Sequence, residues 1–288
     1  MNRGKGRSPK QLAYKILAML LLVLMLAGCG KKAIVSNKTD DNGKAGVSEQ
    51  SGNLKVEKTD NQDKGDKGSE IQNSQPATAG ESYSNYINAK SELLSTLTEA
   101  LTSNPETALN SMSLLAVTLV DLATVPASGF GLGEEVLNMT LGFLGAQDIK
   151  YSEDGNQYNV KYKNAEGKSY ELKGIYDKSA DAMKLIAIDD GKESLTTEYR
   201  KTSFGYVGQI YSVNSEGKAS VFKLSISGKD GAIGIIDETN ELPELSGKES
   251  VDFPKECPEW YAIKGDQVTG ITSSGKEISF VYVPYEEE

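Results

Sequence analysis

Cys257, in the stretch FPKECPEWYAIKG, is the residue whose chemistry is easiest to name: a thiol that could act as a nucleophile. It lacks the usual activator, because the chain contains no histidine. That absence removes Ser-His and Cys-His catalysis and His-ligated zinc from the repertoire of these side chains. Acidic Glu256 and Glu259 stand near the thiol in sequence, and negative neighbours raise a thiol pKa rather than lower it. A structural Cys257 is therefore expected. Carboxylate chemistry is the other option. Glu134-Glu135 and Asp189-Asp190 are adjacent pairs, and neighbours on a helix or strand diverge, whereas acid/base work needs convergent groups. Asp189-Asp190-Gly191 reads as a turn. Ser-Lys chemistry remains conceivable, but no Ser-x-x-Lys in the folded part is read as supporting it. Gly129, Gly131 and Gly133 precede a helical pattern, yet no strand leads into them and no Lys-Ser/Thr follows, so a turn is expected rather than a phosphate loop. Asp60, Asp63 and Asp66 do not match the alternating ligands and fixed glycine of a calcium loop. We assign no catalytic residue, no metal site and no cofactor, and expect a protein that is not an enzyme.

The strongest motif lies at the start. Ile16 to Leu26 is an uncharged apolar run, shorter than the roughly 20 residues a spanning helix needs. Arg3, Lys5, Arg7, Lys10 and Lys15 precede it, with no acid before Cys29. A basic leader, an apolar middle and a small-residue end make a signal peptide. Leu26-Ala27-Gly28-Cys29 resembles the lipobox of bacterial lipoproteins, a resemblance confined to the leader. It implies a diacylglycerol on the Cys29 thiol, cleavage before Cys29, acylation of the new amino terminus, and attachment at the extracytoplasmic face of the cell membrane. Two acyl chains hold where one barely does, at about 0.8 kcal/mol per buried CH2. With Cys29 acylated, Cys257 has no intramolecular partner.

With the leader's five basic residues removed from the 31, 26 face 41 acidic residues, a mature net charge of about −15. A nucleic-acid partner is excluded on that balance, and an anionic lipid surface would repel the chain. Residues 29–81, after the signal peptide 1–28, lack aromatics beyond Cys29 and bury too little apolar surface to offset chain entropy, so they read as a lipidated, disordered tether. A coil of about 50 residues reaches about 40 Å.

These groups must be positioned by the remaining 82–288. Tyr83, Tyr86, Ile87, Leu94, Leu97 and Leu101 recur at helical spacing. A second helix is expected to open at Asn104-Pro105 and stop before Pro126. From Met112 to Val125 it is apolar on most sides, which predicts a helix covered all round. A third is expected over Glu134 to Leu144, stopped by Gly145. From Asp148 the period becomes two: Tyr158/Val160/Tyr162, Tyr170/Leu172/Tyr176, Leu195/Thr197/Tyr199, Phe222/Leu224/Ile226 and Ile278/Phe280/Tyr282 mark strands with one wet face. Gly-Lys recurs at Gly167, Gly191, Gly217, Gly228, Gly247 and Gly275, each glycine preceded by Glu, Asp or Ser, and these are hairpin signals. The first three should share one edge of a meander.

The expectation is an α+β domain of about nine strands, with helices over 82–145 packed on a curved antiparallel sheet over 148–285. This is similar in architecture to the half-barrel of lipoprotein-carrier and acyl-chain-binding lipoproteins, although none of that family's motifs occurs here. Three functions fit. The first is a membrane-anchored extracytoplasmic lipoprotein with a binding or scaffold role toward a lipid-like ligand in the helix–sheet crevice or a protein partner. The second is a carbohydrate-binding envelope module using exposed coplanar aromatics, for which the 14 tyrosines and Trp260-Tyr261 are candidates. The third is a carboxylate-dependent hydrolase. The sequence names no particular ligand, partner or binding residue beyond lipidation at Cys29.

Overall fold

The computed structural model describes residues 75–213, 217–237 and 244–284. Cys29, the signal peptide and the Asp60–Asp66 cluster lie outside the described residues. Helix α1 (Ala79–Ser103) opens with Thr78, whose hydroxyl accepts the Glu81 N–H, while the Glu81 carboxylate accepts from Ala77. This Thr-x-x-Glu arrangement is a variant of the capping box, with the return bond made to the residue before the cap, and it makes residues 79–81 helical although their composition groups them with the tether. Asn104 closes α1. Its side chain does accept the Glu106 N–H, but no long helix starts there. A 3-10 turn (Ala108–Asn110) leads into the short helix α2 (Ser111–Leu119), and two further 3-10 turns (Val120–Ala123, Val125–Gly129) follow. Helix α3 (Glu134–Phe143) lies where expected.

Eleven strands follow: β1 (Gln147–Asp154), β2 (Gln157–Lys163), β3 (Ser169–Asp177), β4 (Ala182–Asp189), β5 (Lys192–Thr202), β6 (Gly205–Val213), β7 (Ala219–Ser227), β8 (Asp230–Asp237), β9 (Glu259–Lys264), β10 (Gln267–Ile271) and β11 (Glu277–Val281). They form one open antiparallel sheet in strict chain order. In such a meander alternate turns share an edge, so the turns at Gly167, Gly191 and Gly217 do lie together, each glycine at φ near +80. Gly247 is an exception among the Gly-Lys turns, since it belongs to the long β8–β9 connection rather than to a hairpin.

One cross-strand row carries much of the core. Tyr176, Met183, Tyr199, Gly208, Leu224, Ile233, Tyr261, Gly270 and Ile278 stand opposite one another from β3 to β11. Helix α1 packs on this face through β4, β7 and β9, burying Tyr86, Leu93, Leu97 and Leu101. The helix comes so close that a side chain at Gly208 would collide with Tyr86, and Phe130, after the last 3-10 turn, leaves as little room at Gly174. The structure is therefore mostly β with N-terminal helices, an α+β arrangement.

The opposite face is not uniformly wet, as simple alternation predicts. Val207, Val221, Ser225 and Ala232 are buried there too. Residues 244–257, with a 3-10 turn at Phe253–Glu256, cross β7, β8 and β9 as a strap. Ser225 donates to the Val251 carbonyl at 2.6 Å, and Glu198 accepts the Leu245 N–H. Alternation reports how many faces a strand shows; it does not report what a later segment lays over the second one.

Candidate functional site

The residues singled out for chemistry are placed apart and are structurally occupied. Cys257 ends the strap and is buried against β8, where a Cβ on Gly234 would stand 2.6 Å from its sulfur. Burial pushes the thiol up to about 11, Glu256 adds to the shift, and Lys223 opposes it. A neutral, enclosed thiol is a poor nucleophile. Glu134 and Glu135 form the exposed first turn of α3, where carboxylates complement the helix dipole. Asp189 accepts from Lys168 at 2.7 Å, and Asp190 sits at φ 48 in the turn while accepting the Ser169 N–H. The glycines before α3 form a turn: the Gly131 N–H donates to the Tyr151 hydroxyl, and Gly129 packs against Leu137. Trp260 and Tyr261 face opposite sides of β9; Tyr261 is enclosed and donates to Glu259, whereas Trp260 lies half-buried under Lys255. Tyr162 and Tyr170 stack on one another at 5.4 Å, which uses their faces internally rather than presenting a flat platform.

Three Ser-x-x-Lys spacings escaped the sequence reading: Ser215/Lys218, Ser220/Lys223 and Ser273/Lys276. On β7, Ser220 donates to Asp237 while the Lys223 amine lies over the Phe253 ring. Ser273-x-x-Lys276 lies in the β10–β11 turn, where the Lys276 amine bonds Glu106 at 2.8 Å. A lysine held as an exposed ion pair is not arranged as a base for Ser273.

Two open clefts hold further carboxylates. One of about 620 Å³ lies over the β1–β4 ends, where Asp148 pairs with Lys163 and Glu171 with Lys161. The other, of about 910 Å³, runs beside the strap, where Asp230 accepts the Gly265 N–H and Asp252 pairs with Lys255. These carboxylates are engaged in ion pairs and loop bonds.

A polar network surrounds the inner side of α1, where it meets the sheet and the 3-10 turns that follow α2. Ser82, fully buried, donates to Asp181 at 2.5 Å and meets the Tyr199 hydroxyl at 2.8 Å. Tyr83 meets Thr124 at 2.8 Å, Tyr86 stacks on Tyr199 at 4.3 Å, and buried Lys90 pairs with Asp121. Burial raises the Asp121 pKa while Lys90 opposes the shift. Reactive residue types converge here, but at 0–1% exposure Ser82 and Lys90 meet no solvent. Such a network specifies how α1 sits on the sheet. A signal for it was present, because position 90 falls on the same helical stripe as Tyr83, Tyr86, Leu94 and Leu97.

The outer side of α2 and α3 differs. Leu114 and Val117 are buried, but Met112, Leu115 and Leu119 are 67%, 49% and 40% exposed, and Ala116 is exposed with them. They recur at i, i+3, i+4 and i+7, a continuous apolar stripe facing water. On α3, Met139 and Phe143 are 72% and 75% exposed, with Leu132 just upstream. The expectation of an all-covered second helix is thus overturned: α1 supplies cover for one side only. Exposed apolar surface of this extent marks a binding face more often than a free surface.

Among the described residues no helix is long and apolar enough to cross a membrane. Compared with known families, curated proteins and solved structures, the chain matches none.

Proposed function

We propose that this is a lipoprotein anchored through acylated Cys29 to the extracytoplasmic face of the cell membrane, acting by binding rather than catalysis, with the exposed apolar side of α2 and α3 as its docking face. The leader motif supports the anchor. The observation that carries the docking role is the uncovered stripe Met112, Leu115 and Leu119 on a helix whose other side is fully packed. We read the sheet as curved and half-barrel-like around α1, consistent with one helix touching β4, β7 and β9. The seam is filled by Tyr86, Phe130 and Leu93, so a lipid-like ligand inside it finds less support than a protein partner on the helical face.

Two measurements test this. Fatty-acid-analogue labelling should mark the wild type and not Cys29→Ser; equal label in both sinks the anchor. Photocrosslinking groups at Leu115 and Met139 in the intact envelope should each give a discrete adduct that a group at Lys229, in the β7–β8 turn, does not. Adducts no stronger than at Lys229 remove the docking role.

A further inference from the structure

Resting on that docking face, we infer that its occupant is a second protein presenting an apolar stripe edged by lysine and arginine, rather than another copy of this chain or an anionic lipid surface. The charge distribution decides between the three. No Lys or Arg occurs between Lys90 and Lys150, although this span contains seven acidic residues. Among them, Asp121 is turned inward to Lys90, and Glu106 and Asp148 are paired with Lys276 and Lys163 of the sheet and its turns, whereas Glu134 and Glu135 are exposed on α3, with Glu135 one helical turn before Met139.

An isologous contact would press this patch against itself. The carboxylates of both copies would then approach with no cation from either stretch to separate them, and like charges across an interface are costly. An amphipathic face that enters an anionic membrane carries Lys and Arg on its polar side, and these helices have none. A basic rim on the partner complements the acidic rim and also steers its approach. The exposed apolar side chains, seven with at least 40% of their surface free, offer several hundred Å². That is on the order of what one partner contributes to a standard interface.

The test uses the full chain in nanodiscs of zwitterionic phosphatidylcholine, with empty discs as baseline. The probes are two 18-residue amphipathic peptides sharing one leucine face, with either Lys or Glu at the remaining positions. The Leu/Lys peptide should bind at least tenfold more tightly than Leu/Glu, and should lose at least tenfold in Leu115→Ser/Met139→Ser. Glu134→Lys/Glu135→Lys should shrink the preference below threefold. Glu193→Lys/Glu277→Lys, with the same change in net charge on exposed strand positions, should leave it intact and so separates a local rim from the charge of the whole chain. Equal reduction by both charge reversals overturns the inference. Equal affinity for the two peptides, still lost in Leu115→Ser/Met139→Ser, overturns the basic-partner inference but leaves the docking face standing. A crosslinked dimer abolished by Leu115→Ser, or Leu115-dependent binding to phosphatidylglycerol vesicles, overturns it in favour of self-association or of a lipid surface. Peptide binding unchanged in Leu115→Ser/Met139→Ser removes both the inference and the docking face.

Discussion

The two sides of the N-terminal helices invert the usual distribution of polarity. Toward the interior, α1 buries Ser82 and Tyr86 against the sheet and Tyr83 and Lys90 against the 3-10 turns; toward water, α2 and α3 show leucine, methionine and phenylalanine. The buried side is polar and largely paired: Ser82 bonds Asp181 and Lys90 pairs with Asp121, while the Tyr86 hydroxyl is enclosed without a hydrogen-bond partner among the described residues. The exposed side is apolar and meets no such partner among the described residues. The difference separates two uses of similar helices: the inner contacts select one arrangement of helix on sheet, while the outer ones are left for something else to cover.

The contrast breaks most visibly at the buried ion pair. Lys90→Ala should cost about 3–5 kcal/mol in urea unfolding, because Asp121 is left as an uncompensated charge. Lys90→Met/Asp121→Leu should recover much of that loss. Stability unaffected by Lys90→Ala would mean the seam does not depend on the pair.

Adjacent leucines sharpen the comparison. Leu114, 1% exposed, should cost about 2–5 kcal/mol on change to Ala, the range for a cavity in a packed site. Leu115→Ala, one position along but on the open side, should stay within about 0.5 kcal/mol. Equal costs would show that the outer stripe is packed after all.

Cys257 offers an intermediate effect on the far side of the sheet. Its thiol is raised from about 9 to about 11, so the folded state holds a proton that the unfolded chain releases in that window. Stability associated with the neutral thiol is therefore complete below pH 9 and lost as pH rises toward 11. Across that interval the wild type should lose about 2–3 kcal/mol relative to Cys257→Ser. A difference that stays constant from pH 8 to 11 would place the thiol in contact with solvent.

Much of the fold was legible along the chain. Period-two runs such as Tyr158/Val160/Tyr162 and acid-Gly or Ser-Gly turns specify neighbouring antiparallel strands through local contacts alone, so the meander and the shared edge of its first three Gly-Lys turns could be read directly. The Thr78-x-x-Glu81 box was equally local and was passed over because the residues around it resemble the tether in composition. Eleven strands rather than nine followed because short strands such as β10 (QVTGI) carry little alternation.

The candidate site was legible only in part. Sequence determined that Met112 to Leu119 is mostly apolar, that residues 91–149 carry no basic side chain, and that Leu26-Ala27-Gly28-Cys29 follows an apolar run ahead of the body of the chain. Those are properties of residue type and order. Tertiary structure decided which leucine is covered, that the strap presses Cys257 against β8, and that Lys90 finds Asp121 across a turn in the chain. Helical periodicity places Leu114 and Leu115 on different sides, but it is silent on which side α1 will occupy. Burial is a property of the pair of surfaces in contact, and only one surface of each pair is written in any local stretch.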